Sequence, residues 1–266
     1  MNNLNVAIPT PFLEDESLNP DGFEPIVEHL KRNGIQSLLI SGSTGEQHSM
    51  SVEERLQIID YFKQKNFADV ELMFGVSAVR TKDAVRLVQA LEHSVFQAIL
   101  IGFPPYIRPT QQQAIAYVEE LLAHTTKKIA LYNNPARTGF DLSPESLHEL
   151  IGRHHNIVGF KEGGDVHRHK GIAFPDSFIR FAAGDVNLVA NIVEGGCNGL
   201  SSVAGNMYPE VIKRTFEDLL QNKPVDAMGL EQLVSQVIQG QAIVNIKNHY
   251  NSLGMNTGYC RSPLGI

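Results

Sequence analysis

An apolar run, Ile157-Val158-Gly159-Phe160, ends on Lys161-Glu162 and is followed by Gly163-Gly164. Such a run predicts a buried strand. The amine of Lys161 must then either reach water or give up its proton, because apolar surroundings disfavour the charged form. A neutral lysine amine is a nucleophile. Other strand-like runs also end in reactive groups. Leu38-Leu39-Ile40 leads into Ser41-Gly42-Ser43-Thr44-Gly45-Glu46, the run at 98–101 leads to Tyr106, and Ile129-Ala130-Leu131 ends on Tyr132. A lysine, tyrosines and hydroxyls around one mouth suit Schiff-base chemistry: the amine attacks a ketone, the hydroxyls move protons, and the iminium serves as electron sink. Taken singly, each has an ordinary reading: a strand-end lysine with its amine in water, a buried tyrosine with one hydrogen bond, hydroxyls capping a glycine-flanked turn. Their occurrence on successive strand ends argues for chemistry.

Positioning these side chains requires alternating strands and helices. Runs at 6–8, 38–40, 72–74, 98–101, 129–132, 157–161, 178–181 and 199–201 predict strands. Between them lie segments of helical period. Phe23, Ile26, Val27 and Leu30 follow Asn19-Pro20 and stop at Gly34, and Ser51-Val52-Glu53-Glu54 is a capping box opening a helix to about 65. Ala84, Leu87, Val88 and Leu91 share a face after Thr81. Thr110 to Gln113 form a second capping box whose helix ends near 124, and Ser143-Pro144 starts another. A short helix around Arg168 and helices at 186–193 and 208–220 complete the series. Strands apolar on both faces and joined by helices imply a parallel sheet, and eight such units imply a (β/α)8 TIM barrel with its active site at the C-terminal strand ends. A doubly wound sheet is the alternative, but no G-x-G-x-x-G follows the first strand. The barrel is expected over 1–222. After Asn222-Lys223-Pro224, one helical segment from 225 to about 253 and an irregular tail at 257–266 form a C-terminal helical extension, 223–266.

The 266 residues carry a formal charge of -7, with 42% hydrophobic and 19% charged. This acidic balance argues against nucleic acid or an anionic membrane as partner. Residues 1–10 lack the basic start and apolar core of a signal peptide, and no run approaches the ~18 apolar residues of a membrane span, so a cytoplasmic protein is expected. Cys197 and Cys260 lack CxxC spacing and read as packing residues in a reducing compartment. His154-His155 and His167-Arg168-His169 are expected on solvated helix faces, since neither pattern sets three metal ligands together.

The segments Gly42-Ser43-Thr44-Gly45-Glu46, Tyr132-Asn133-Asn134-Pro135-Ala136-Arg137-Thr138-Gly139 and Gly159-Phe160-Lys161-Glu162 resemble, in order and separation, the motifs of the dihydrodipicolinate synthase/N-acetylneuraminate lyase family. The resemblance runs from Val6 to about Leu264, and the segment from Gly195 through Ser202 to Val203 is similar to the family's eighth-strand region. It implies a metal-free, cofactor-free class I pyruvate lyase or aldolase on a (β/α)8 barrel, forming a homodimer or homotetramer. Lys161 would form the Schiff base with pyruvate, Tyr132 would be the acid/base, and Ser43 would relay its protons. Thr44 and the backbone of Gly45 would hold the pyruvate carboxylate, with Ser202 also at the substrate. Tyr106 would enter from a neighbouring subunit, although Pro105-Tyr106-Ile107 replaces the family's Tyr-Tyr-Asn. Arg137 resembles the arginine by which 4-hydroxy-tetrahydrodipicolinate synthases bind the carboxylate of aspartate semialdehyde; its guanidinium offers a planar fork. Val79 and Pro105 stand where lysine-inhibited synthases carry polar or aromatic ligands, so lysine feedback is not expected. Gly184-Asp185-Val186 replaces the usual Gly-Asp-Asp, and the chain ends at Ile266, before the family's last helix or two.

Three rivals remain at this level. A pyruvate aldolase acting on a 2-keto-3-deoxy sugar acid would gain less from Arg137. A barrel that binds a keto acid without catalysis is countered by intact Lys161 and Tyr132. A metal-dependent aldolase would need a His/Asp/Glu cluster that the sequence does not offer.

Overall fold

The computed structural model describes residues 1–65, 67 and 69–265, so the last residue of the expected extension, Ile266, lies outside the described residues. Eight parallel strands close in sequence order into a barrel: β1 (Leu4–Ala7), β2 (Ser37–Ile40), β3 (Glu71–Val76), β4 (Ala98–Gly102), β5 (Lys128–Asn133), β6 (Ile157–Glu162), β7 (Ile179–Ala183) and β8 (Gly199–Ser202), with β8 pairing β1. The TIM-barrel expectation is borne out, with strand ends displaced by at most two residues. β1, for instance, starts at Leu4 because Leu4, Asn5 and Val6 pair with β8.

The two-residue period of the strands divides the apolar side chains between two cores. Ala7, Leu39, Met73, Ala98, Leu100 and Ala130 form a small cluster with Met1 and Tyr132 packed against it. Their outward neighbours, among them Val6, Leu38, Phe74, Ile99, Leu131 and Phe160, join a far larger cluster with the helices. Strands buried on both faces need apolar residues at every position, which is why they read as continuous runs.

The helices begin where the side chains can satisfy free backbone N–H groups. The capping boxes of Ser51 with Glu54 and Thr110 with Gln113 open α2 (Val52–Gln64) and α4 (Gln111–Leu122). Ser143 caps α6 (Pro144–Arg153), while Asn134 caps a single turn, α5 (Pro135–Thr138), that the apolar pattern does not signal. α1 (Phe23–Arg32), α3 (Thr81–Glu92), α7 (Leu188–Val193) and α8 (Pro209–Leu220) complete the outer layer.

The single helix expected over 225–253 is two, α9 (Ala227–Ile238) and α10 (Ala242–Ser252). The break falls at Gly240, whose φ of +73° is a left-handed conformation that ends a helix. Leu230, Val234, Val237, Ile246 and Tyr250 from this pair share the barrel's outer core. Among the described residues no helix is long and apolar enough to cross a membrane.

Candidate active site

The facing of Lys161 is set by a register shift between β5 and β6. Ile129 pairs with Ile157 but Ala130 pairs with Gly159, so Val158 is an extra residue. In unshifted pairing Phe160 would stand opposite Tyr132. With the extra residue Lys161 pairs with Tyr132 and Asn133 with Glu162. The lysine thus turns to the inward side of the barrel, in register with Phe181 and Gly199; the glycine makes room for its neighbours, since a Cβ there would lie 2.5 Å from Ile179 and 2.8 Å from Phe181.

Lys161 is 7% exposed. Its Nζ donates to Ser201 Oγ at 2.9 Å, and Ser201 Oγ donates to Asn5 Oδ1 at 2.7 Å. Because the single serine proton goes to Asn5, Ser201 can only accept from the lysine, and the amine lone pair stays free. Burial above all, helped by the charge of Arg137 and opposed by that of Asp185, pulls the amine down from its usual 10.5 to about 7. The Tyr132 ring, 4.6 Å from Nζ, also favours the cation, but by about 0.5–2 kcal/mol. A displacement from 10.5 to about 7 corresponds to about 5 kcal/mol, so burial wins. Near neutral pH a large fraction of Lys161 is an unprotonated nucleophile.

Tyr132, at the adjacent strand end, is half-buried, and its hydroxyl accepts from Asn134 Nδ2 at 2.8 Å. A cavity of about 420 Å³ opens beside it, lined by Ser43, Arg55, Pro105, Tyr132, Asn134 and Arg137 among others. Ser43 and Tyr132 therefore face the same space. Thr44 and Gly45 are buried in the same turn, which Thr10 pins by donating to the Gly45 carbonyl at 2.6 Å. Arg137 is exposed on α5 at the cavity's edge.

Of the expected residues, Ser43, Tyr132 and Arg137 line the cavity, Lys161, Thr44 and Gly45 are buried and are not among its lining, and two others stand elsewhere. Tyr106 is 92% exposed, on a backbone with φ of +70°, and is not among the side chains lining the cavity. Arg108, from the same loop, lies against Gly139, which has no side chain to fill the space; a Cβ there would meet the guanidinium Nε at 3.0 Å. Ser202 is fully buried: its hydroxyl donates to Asp185 Oδ1 at 2.6 Å and accepts from Gly205 N at 2.8 Å.

Other polar residues of the site escape a reading by motif. Ser201 and Asn5 hold the amine. Asp185 is buried, accepts also from the backbone of Val203 and Ala204 at 2.8 Å each, and has its carboxyl raised by burial. Arg55 is buried without a carboxylate partner among its hydrogen bonds, which go to Ser41 Oγ, Gln47 Oε1 and the carbonyls of Gly75 and Ser77. Asn133 Nδ2 donates to both carboxylate oxygens of Glu162, at 3.0 and 3.2 Å, and to Asp141 Oδ1 at 2.9 Å. This cross-links the strands one residue beyond Tyr132 and Lys161. His169, expected on a solvated face, is buried against Glu162 at 2.7 Å; a 3-10 turn folds it back onto β6. Only spacing from the lysine strand could have hinted at that pairing. Among the described residues no three His, Cys, Asp or Glu side chains are grouped to hold a metal ion.

A closed (β/α)8 barrel with a desolvated lysine paired to a tyrosine at adjacent strand ends is the architecture of class I lyases, which act through an imine on that lysine. The family model described as the dihydrodipicolinate synthetase family matches residues 1–266, and the chain belongs to that family of pyruvate-dependent lyases and aldolases. A 4-hydroxy-tetrahydrodipicolinate synthase from Fervidobacterium nodosum is 29% identical over 273 residues, covering 98% of this chain and 91% of the relative. A dihydrodipicolinate synthase structure from Aquifex aeolicus superposes with a TM-score of 0.91 at 23% identity, over 99% of this chain and 92% of that one. The chloride-inhibited dihydrodipicolinate synthase from Acinetobacter baumannii, complexed with pyruvate, gives 0.85 at 26% identity over 98% and 92%.

Proposed function

We propose that the protein condenses pyruvate with L-aspartate 4-semialdehyde to give 4-hydroxy-tetrahydrodipicolinate, acting in the cytoplasm. The observation that carries this reading is the Lys161 amine, lowered to about 7 and held beside Tyr132, whose side chain lines a cavity with Arg137 at its rim. The neutral amine adds to the ketone carbon of pyruvate, and loss of water leaves an iminium. Withdrawal of electrons into that iminium acidifies the pyruvate methyl group; its proton leaves, and the enamine attacks the aldehyde carbon of the acceptor. Tyr132 supplies and removes protons, with Ser43 as its relay. Thr44 and the Gly45 amide hold the pyruvate carboxylate. The acceptor's amino group then closes the ring on the imine carbon and releases Lys161.

Arg137 supports the choice of acceptor, because a planar guanidinium at the rim suits a second carboxylate. Tyr106 and Ile107 are exposed next in sequence to Pro105 of the cavity lining, and Val79 is exposed within that lining, which supports a homo-oligomer in which a partner copy brings its own Tyr106 to the relay.

The test is intact mass after borohydride treatment with and without pyruvate, followed by peptide mapping. The expected result is a pyruvate-sized addition on Lys161, after which aspartate semialdehyde should be consumed in preference to polyhydroxy aldehydes. An adduct with preference for a sugar aldehyde would favour a 2-keto-3-deoxy sugar acid aldolase. No adduct would leave a keto-acid-binding barrel.

A further inference from the structure

The turn that carries Ser43 and Thr44 is gripped from behind by the end of the chain. Glu46 closes that turn in a left-handed conformation, φ +53° and ψ +35°, with its amide donating to the Ser43 carbonyl at 3.1 Å. Its side chain is 1% exposed and meets Lys247 of α10, also 1% exposed, with Nζ 2.8 Å from Oε1. The contact is ionic, since Oε1 makes no hydrogen bond of good geometry. Glu46 Oε2 accepts from the backbone of Arg261 at 3.0 Å, and Lys247 donates to the Tyr259 carbonyl at 2.7 Å. The Arg261 guanidinium then crosses to the Ser49 carbonyl at 2.7 Å, the Glu16 carbonyl at 2.9 Å and the Glu54 carboxylate. Both cations rest on the ring of Phe12, at 4.3 and 4.2 Å.

Stability alone does not account for two desolvated charges here, because apolar side chains of similar volume commonly replace a buried ion pair at no loss. An ion pair does fix direction: a left-handed glutamate anchored on one side and two residues from Thr44 leaves the turn one orientation. We propose that Lys247, Glu46 and the strap at 257–262 are positioning residues that aim the Ser43-Thr44 turn at the cavity, so that pyruvate affinity depends on the C-terminal segment. The inference rests on the pyruvate reading above.

The experiment compares the full chain with its Lys247→Met, Lys247→Arg and Arg261→Ala variants. The readout is the pyruvate concentration giving half-maximal borohydride-trapped adduct, with unfolding midpoints measured alongside. A misplacement of ~1 Å at a reacting centre costs on the order of a hundredfold. Lys247→Met is therefore expected to raise half-saturation about tenfold or more, Arg261→Ala severalfold, and Lys247→Arg to recover most of the loss, with the adduct still on Lys161. Should Lys247→Met fail to fold, Arg261→Ala, altered nearer the surface, decides. Unchanged half-saturation in the folded variants, even with lowered midpoints, would reduce the strap to a structural support and overturn the proposal. Absence of an adduct in the unaltered protein would instead overturn the pyruvate reading, and this inference with it.

Discussion

Replacing Lys161 by methionine should remove the pyruvate adduct and make the protein more stable. Methionine has about the length of the lysine stem and no charge to desolvate. The amine is displaced from 10.5 to about 7, and at 1.36 kcal/mol per pH unit this places about 5 kcal/mol against the folded state wherever the lysine must carry its proton. Against that gain stand the hydrogen bond to Ser201 and the contact with the Tyr132 ring, each about 1 kcal/mol, leaving a net of about 3 kcal/mol. The sign follows from proton counts. Below pH 7 folded and unfolded chains both hold the proton, and the folded one bears the full penalty. Between 7 and 10.5 only the unfolded chain holds it, so the native protein gains about 1.4 kcal/mol per pH unit; above 10.5 the penalty is gone. Urea unfolding of both proteins from pH 6 to 10 should show an advantage for Lys161→Met that is largest at low pH and shrinks steadily above 7. A variant that is less stable at pH 6, or whose advantage does not change with pH, would refute the assignment of a desolvated amine.

Tyr132→Phe keeps the ring against the lysine and removes only the hydroxyl bonded to Asn134. Turnover should fall roughly a hundredfold or more, the scale of a general acid/base, with little change in unfolding midpoint. Arg137→Ala removes a cation that helps hold the lysine amine down, so the pH dependence of imine formation, read by borohydride trapping, should move to higher pH. It should also weaken use of aspartate semialdehyde more than pyruvate binding; equal losses in steady-state kinetics would count against an acceptor contact.

The barrel was legible because its parts announce themselves locally. Strands buried on both faces read as unbroken apolar runs, and Ser51, Thr110 and Ser143 cap their helices through partners three residues away. Lys161 and Tyr132 were legible as charge and hydroxyl at the ends of such runs. The groups that tune them were not. Ser201 and Asn5 lie 196 positions apart and meet only when β8 closes on β1. The extra residue at Val158 has no special side chain and is visible only in the pairing of β5 with β6. Arg55 sits on an ordinary amphipathic helix face, and its burial comes from the loops around it. The break at Gly240 was obscured because apolar spacing resumes beyond it in α10.

Closure of the seam between β8 and β1 has a consequence for the life of the chain before it folds. The lysine of a nascent or misfolded chain, still in water, stays protonated at neutral pH and is a poor nucleophile toward cellular carbonyl compounds. Its reactivity is acquired when β6 is buried and the last strand brings Ser201 to it from beside Asn5 of the first. The hazardous group of this protein is thus armed by completion of the barrel, and trapping of its imine in a refolding time course would report the moment at which the circle of strands is shut.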